Sequence, residues 1–76
     1  MVYIVAGSYQ QYRAYLDSKN GADLGSRSLR VNDPGSFLLS REPDVVLTNG
    51  YDTRPDWPQI ELELEKRRAR VRRELL

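Results

Sequence analysis

The residues able to do chemistry are few. The chain has no histidine and no cysteine, so it lacks the commonest general base at neutral pH, the commonest metal ligand and any thiolate site. The best-placed hydroxyl is Ser8, which follows an apolar run and a glycine where a helix would begin. It has no histidine partner, and Lys19 lies about three helical turns further on. Ser40 and Thr48 have no better claim. Asp33 and Asp52 could in principle share acid–base work, but nothing in their spacing demands it. The sequence therefore reads as a non-enzyme, with no cofactor and no metal site.

Binding has more to offer. Gly7, Ser8 and Tyr9 follow the first apolar run; Asn32 and Asp33 follow a second, shorter one; Asn49, Gly50 and Tyr51 follow a third. In an open parallel sheet these positions line the crevice at the carboxyl ends of the strands, where ligands most often sit. Gly7-Ser8 at a helix start offers backbone N–H groups to a phosphate or carboxylate, and Arg54 could add charge. A nucleotide or small metabolite is the ligand class such a crevice would take. Each residue also has a plainer reading: Gly7-Ser8 as a turn and helix cap, Asp33 as an N-cap, Asn49-Gly50 as a turn. There is no G-x-G-x-x-G and no Walker pattern.

A third set is basic. Lys66, Arg67, Arg68, Arg70, Arg72 and Arg73 fall within eight positions, while Asp52, Asp56, Glu61, Glu63 and Glu65 precede them. This polarity complements a helix dipole and supplies Glu63–Arg67 and Glu65–Arg68 pairs. It also suits antiparallel pairing with a two-fold mate, acidic half against basic half. Lys66, Arg67, Arg70 and Arg73 could instead neutralise nucleic-acid phosphates. A net charge of +1 and the lack of a helix-turn-helix or stacking motif weigh against that third reading.

The elements that must position these residues alternate. Val2 to Ala6 is apolar and β-branched, as in a strand buried on both faces. Tyr9 to Lys19 places Tyr9, Tyr12 and Leu16, with Tyr15 beside them, on one helical face, and Asn20-Gly21 stops the helix. Residues 22 to 26 read as a loop. Ser28 to Val31, with Arg27 and Arg30 at polar positions, reads as an edge strand. Asp33-Pro34 opens one or two helical turns over Gly35 to Ser40 that bury Phe37 and Leu38 or Leu39. Asp44 to Thr48 is a third strand. The prediction is a β-α-β-α-β-α three-layer fold with a three-stranded parallel sheet in the order 2-1-3, ending in one helix over residues 56–76.

With 76 residues, 39% of them hydrophobic and 30% charged, the chain is one small folded domain. At this size a fold usually needs a staple, and without cysteine, self-association is the one left. A helix of about twenty residues is roughly 30 Å long and outruns a five-residue strand of about 17 Å. Its far half should overhang and meet another chain through Trp57, Ile60, Leu64, Arg67, Arg68, Val71 and Leu75. The expected partners are a second copy, as a dimer or dimer of dimers, and a binding protein. The first apolar run stops at Gly7, too short for a signal peptide or membrane span, so a cytoplasmic location is expected.

Three stretches resemble a known group: Val-Tyr-Ile-Val-Ala-Gly-Ser-Tyr at the start, Asp-Val-Val-Leu-Thr-Asn-Gly-Tyr in the middle and Arg-Pro-Asp-Trp-Pro-Gln-Ile near the end. Together they resemble small uncharacterised Rossmann-like proteins encoded by phages of actinobacteria, of the mycobacteriophage type. The opening also looks a little like the first strand of nucleoside deoxyribosyltransferase-like proteins, whose acidic nucleophile has no counterpart here. The phage resemblance implies an accessory protein that acts by binding a host protein or defence component. It assigns no functional residue.

Overall fold

The computed structural model describes residues 2–18, 28–37 and 41–76. The expected helix stop at Asn20-Gly21, the loop over 22 to 26 and the positions Lys19, Arg27, Leu38, Leu39 and Ser40 lie outside the described residues. Strands β1 (Val2–Val5), β2 (Ser28–Arg30), β3 (Asp44–Leu47) and β4 (Arg70–Arg73) form one sheet, with helices α1 (Tyr9–Ser18) and α2 (Trp57–Lys66) and short 3-10 turns at Pro34–Phe37 and Tyr51–Thr53. The order is β2-β1-β3-β4 and every pairing is parallel.

The alternation of side chains in β1 and β3 explains the layers. Ile4 and Val46 point to one face, where Tyr15 and Leu16 of α1 close over them. Tyr3, Val5, Val45 and Leu47 point to the other, against Phe37, Val31 and the α2 residues Ile60 and Leu64. Tyr3 and Phe37 stack with ring centroids 5.0 Å apart. The two apolar strands are central and the polar β2 is an edge, as their composition predicts.

Ser8 caps α1: its Oγ accepts the Gln11 N–H at 3.2 Å, and its carbonyl accepts the Tyr12 N–H at 3.0 Å. The predicted apolar stripe is shifted around this helix. Tyr15 and Leu16 are buried, Tyr12 is half-buried and Tyr9 is exposed. The segment after Asp33 forms a 3-10 turn at Pro34–Phe37 and buries Phe37 as expected.

The largest correction concerns the C-terminus. The single helix over 56–76 does not form; α2 ends at Lys66 and the chain returns as a fourth strand. Arg68 takes a left-handed backbone with φ 52°. Around it the Arg68 N–H donates to the Glu65 carbonyl at 3.2 Å, and the Ala69 N–H donates to the Leu64 carbonyl at 3.0 Å. These bonds form a Schellman closure, with Ala69 packed beside Leu64 on the core. The Arg67 carbonyl accepts the Glu42 N–H at 3.0 Å.

The reason is where the backbone and the apolar residues can go. A continued helix would carry Val71 past the sheet into water. As a strand, Arg70 donates its N–H to the Pro43 carbonyl at 2.8 Å and Glu74 donates to the Leu47 carbonyl at 2.9 Å. Val71 then pairs in register with Val45. Residues beyond Lys66 therefore form no overhanging helical rod.

The closure yields a prediction. Left-handed backbone costs an L-residue about 1–2 kcal/mol, so Arg68→Gly should raise the unfolding free energy by about 1 kcal/mol in urea titration. A helix continuing through this position would instead lose about 1 kcal/mol to glycine.

Candidate functional site

Two regions bring the predicted site residues together: the carboxyl ends of the strands, and the outer margin formed by β4. At the first, Gly7 and Gly50 meet. The Gly7 N–H donates to the Asn49 carbonyl at 3.0 Å, and a Cβ on Gly7 would lie 2.6 Å from the Gly50 carbonyl oxygen. Gly50 is left-handed, with φ 79°. The Gln11 carboxamide fills the space against both glycines. The position predicted to cradle an anion therefore holds one of the protein's own side chains. Gln11 was not among the predicted residues; the Ser8-Tyr9-Gln10-Gln11 spacing, which favours glutamine at the third helical position, was the signal for it.

Arg54 is likewise used by the fold. Its Nη1 donates to the carbonyls of Val31 at 2.6 Å and Ala6 at 3.3 Å, and Nη2 donates to the Asn32 carbonyl at 2.9 Å. Nε and Nη2 meet the two carboxylate oxygens of Asp56 at 2.9 and 3.0 Å. A guanidinium carries five N–H donors, so this set occupies the whole fork. Arg54 ties the ends of β1 and β2 to the start of α2 rather than presenting charge to a ligand. The same hydrogen bonds hold the Asp56 carboxyl below its ordinary range, against an opposing effect of burial.

The other strand-end residues are spread out. Tyr9 lies beneath the Arg30 guanidinium, 5.4 Å from ring centroid to Cζ, and beside Tyr12. Asp33 is exposed at the start of the Pro34–Phe37 turn. Asn49 accepts the Leu76 N–H through Oδ1 at 2.9 Å. Tyr51 stacks edge-on against Trp57 at 4.9 Å and its hydroxyl accepts from Arg73 at 3.4 Å. Asn49 and Tyr51 thus anchor the C-terminal segment.

At the second region, the residues predicted as an interface divide. Ile60 and Leu64 are buried on the core face of α2, and Leu64 also lines the groove beneath Val71. Trp57 is half-buried against that core and Arg67 is half-buried beside Glu63, 3.5 Å away. Arg68, Val71 and Leu75 are exposed. The predicted nucleic-acid set is similarly divided: Lys66 pairs with Glu63 at 3.3 Å on the helix, whereas Arg70 and Arg73 lie on β4. They do not share one helical face.

What β4 does present is a strand edge. Arg70 and Glu74 direct their N–H groups to β3, so by the two-residue repeat of a parallel ladder Arg72 does too, while Val71 and Arg73 direct theirs outward. All four β4 residues are exposed. Beneath Val71, on the α2 face, lies a groove of about 300 Å³ lined by Leu47, Trp57, Leu64 and Ala69, with Glu61, Glu65 and Arg68 at its rim. On the opposite face Glu74 accepts the Tyr15 hydroxyl at 2.9 Å. Burial first, and then this bond to a carboxylate, push the Tyr15 phenol up to about 12 from 10.0. The stability that goes with the protonated phenol is intact below pH 10 and is lost as the pH climbs towards 12.

Comparison with known proteins adds no relative: no family model, no curated protein and no solved structure matches the chain significantly. Among the described residues, no helix is long and apolar enough to cross a membrane.

The clamp role of Arg54 is measurable. Arg54→Ala leaves three carbonyls and a carboxylate without their donor, and should lower the unfolding free energy by about 3 kcal/mol. Arg54→Lys should recover less than half of that, since an ammonium cannot fork. A loss below about 1 kcal/mol for the alanine variant would contradict the role.

Proposed function

We propose that this chain is a non-enzymatic protein-interaction module that takes its partner at the open edge of β4. The observation that carries the reading is the outward-facing backbone of Val71 and Arg73 beside an exposed apolar groove. Such an edge is completed by an added strand, with main-chain hydrogen bonds for affinity and alternate side chains for choice. The strand-end crevice is a weaker candidate for a nucleotide, because Gln11 and Arg54 already occupy it. Nucleic acid is disfavoured too, since acidic Glu63 and Glu74 lie among the cations. The resemblance to small phage-encoded proteins supports an accessory role in the cytoplasm of an infected cell, with a host protein among the partners.

The test is selection of linear peptides from a displayed library on the immobilised protein, repeated with Val71→Pro. Proline is tolerated on an edge where the N–H faces outward, so the variant should keep the fold. Selected peptides should bind it at least about tenfold more weakly, the equivalent of 1.4 kcal/mol. Unchanged retention would overturn the reading. So would a melting point raised by nucleotides at millimolar concentration and untouched by selected peptides.

A further inference from the structure

We infer that the occupant of the β4 edge is a second copy of this chain, paired antiparallel about a two-fold axis midway between Arg73 and its copy. The inference rests on the strand-edge reading above and adds the partner. Its basis is that the segment Val71-Arg72-Arg73-Glu74-Leu75 is complementary to its own reverse.

The register follows from which groups face out. Val71 and Arg73 present their N–H and carbonyl groups at the open edge, and continuing the repeat places Leu75 with them. In an antiparallel pair, outward-facing residues oppose outward-facing residues as hydrogen-bonded pairs about 5.5 Å apart. Centring the axis midway between Arg73 and its copy then sets Val71 opposite Leu75 of the mate, and Leu75 opposite Val71. Between them, Arg72 falls opposite Glu74 of the mate, and Glu74 opposite Arg72. These form non-hydrogen-bonded pairs, in which Cα atoms come to about 4.5 Å and side chains are closest.

Each face of the extended sheet then has a consistent character. Val71 and Leu75 are 44% and 59% exposed and lie on the α2 face, Val71 at the wall of the groove. The mate's Leu75 would sit beside Val71 and cover that apolar surface. On the α1 face Glu74 is placed by Tyr15 at 2.9 Å, and Arg72 lies 3.9 Å from it within the chain. Two crossed Arg72–Glu74 pairs make this a small charge network spanning the axis. The one unfavourable pair is Arg73 opposite its copy, and each guanidinium is drawn to its own Tyr51 hydroxyl, 3.4 Å away. The result is a continuous eight-stranded sheet in which each copy's β4 edge protects the other's.

The register dictates the experiment. Arg72→Glu alone sets two carboxylates opposite each other at both crossings, and Glu74→Arg alone sets two guanidinium groups there. Sedimentation of the wild-type chain should show dimers, each single variant should dimerise at least about tenfold more weakly, and an equimolar mixture of the two should recover dimers as a heterodimer. Recovery on mixing also reports that both variants fold. A wild-type chain that is monomeric up to about 1 mM overturns the inference, as does a dimer that survives both reversals, or a mixture that stays monomeric. Peptide capture that still depends on Val71 in a monomeric chain would leave the strand-edge reading standing while this inference fails.

Discussion

The left-handed turn at Arg68 decides the shape of everything after it. A helix leaves its last carbonyls without partners, and here the N–H groups of Arg68, Ala69 and Glu42 take three of them, at the Glu65, Leu64 and Arg67 carbonyls. That closure turns the chain through Ala69 and delivers Arg70 to the Pro43 carbonyl, from which β4 grows along β3. Without it there would be no fourth strand, no groove between Trp57 and Val71, and no open edge. The opposing preference is the cost of left-handed backbone at an arginine, about 1–2 kcal/mol. Main-chain bonds to β3 and the packing of Ala69 on Leu64 outweigh it.

The carboxyl ends of the strands, where parallel sheets usually hold ligands, are closed by the same kind of internal accounting. Gly7 lies so close to the Gly50 backbone that a Cβ on it would clash, Gly50 needs its left-handed φ of 79°, and the Gln11 carboxamide fills the space beside both. Arg54 donates to the carbonyls of Ala6, Val31 and Asn32, which come from the ends of two strands. A domain this small has little apolar surface to bury, and hydrogen bonds that tie loop ends together take on part of the stabilising role. The edge of β4 lies at one lateral margin of the sheet, as β2 lies at the other.

Much of the interior was legible from residue types. Val2–Val5 and Asp44–Leu47 are β-branched and apolar throughout, which placed them at the sheet centre, and Ser8 signalled its cap. Tyr9 misled because a three-residue spacing to Tyr12 looks buried, whereas the helix turns Tyr15 and Leu16 inward. The C-terminus misled for a more general reason. Glycine ordinarily marks a left-handed helix stop, and here arginine holds that place. The remaining clue was the double interruption of the apolar stripe by Arg67 and Arg68 after Ile60 and Leu64. The clamp around Arg54 could not be read in advance, since its partners come from segments distant in sequence.

Strand β4, Arg70–Arg73, turns alternate amides to β3, and the Glu74 N–H continues the pattern. Amide hydrogen exchange read residue by residue by NMR, at a concentration where the chain is monomeric, tests it most directly. Protection should alternate, with slow exchange at Arg70, Arg72 and Glu74 and fast exchange at Val71 and Arg73. Uniform protection from Ile60 through Arg73, as in an unbroken helix, or no protection beyond Arg67 would contradict it.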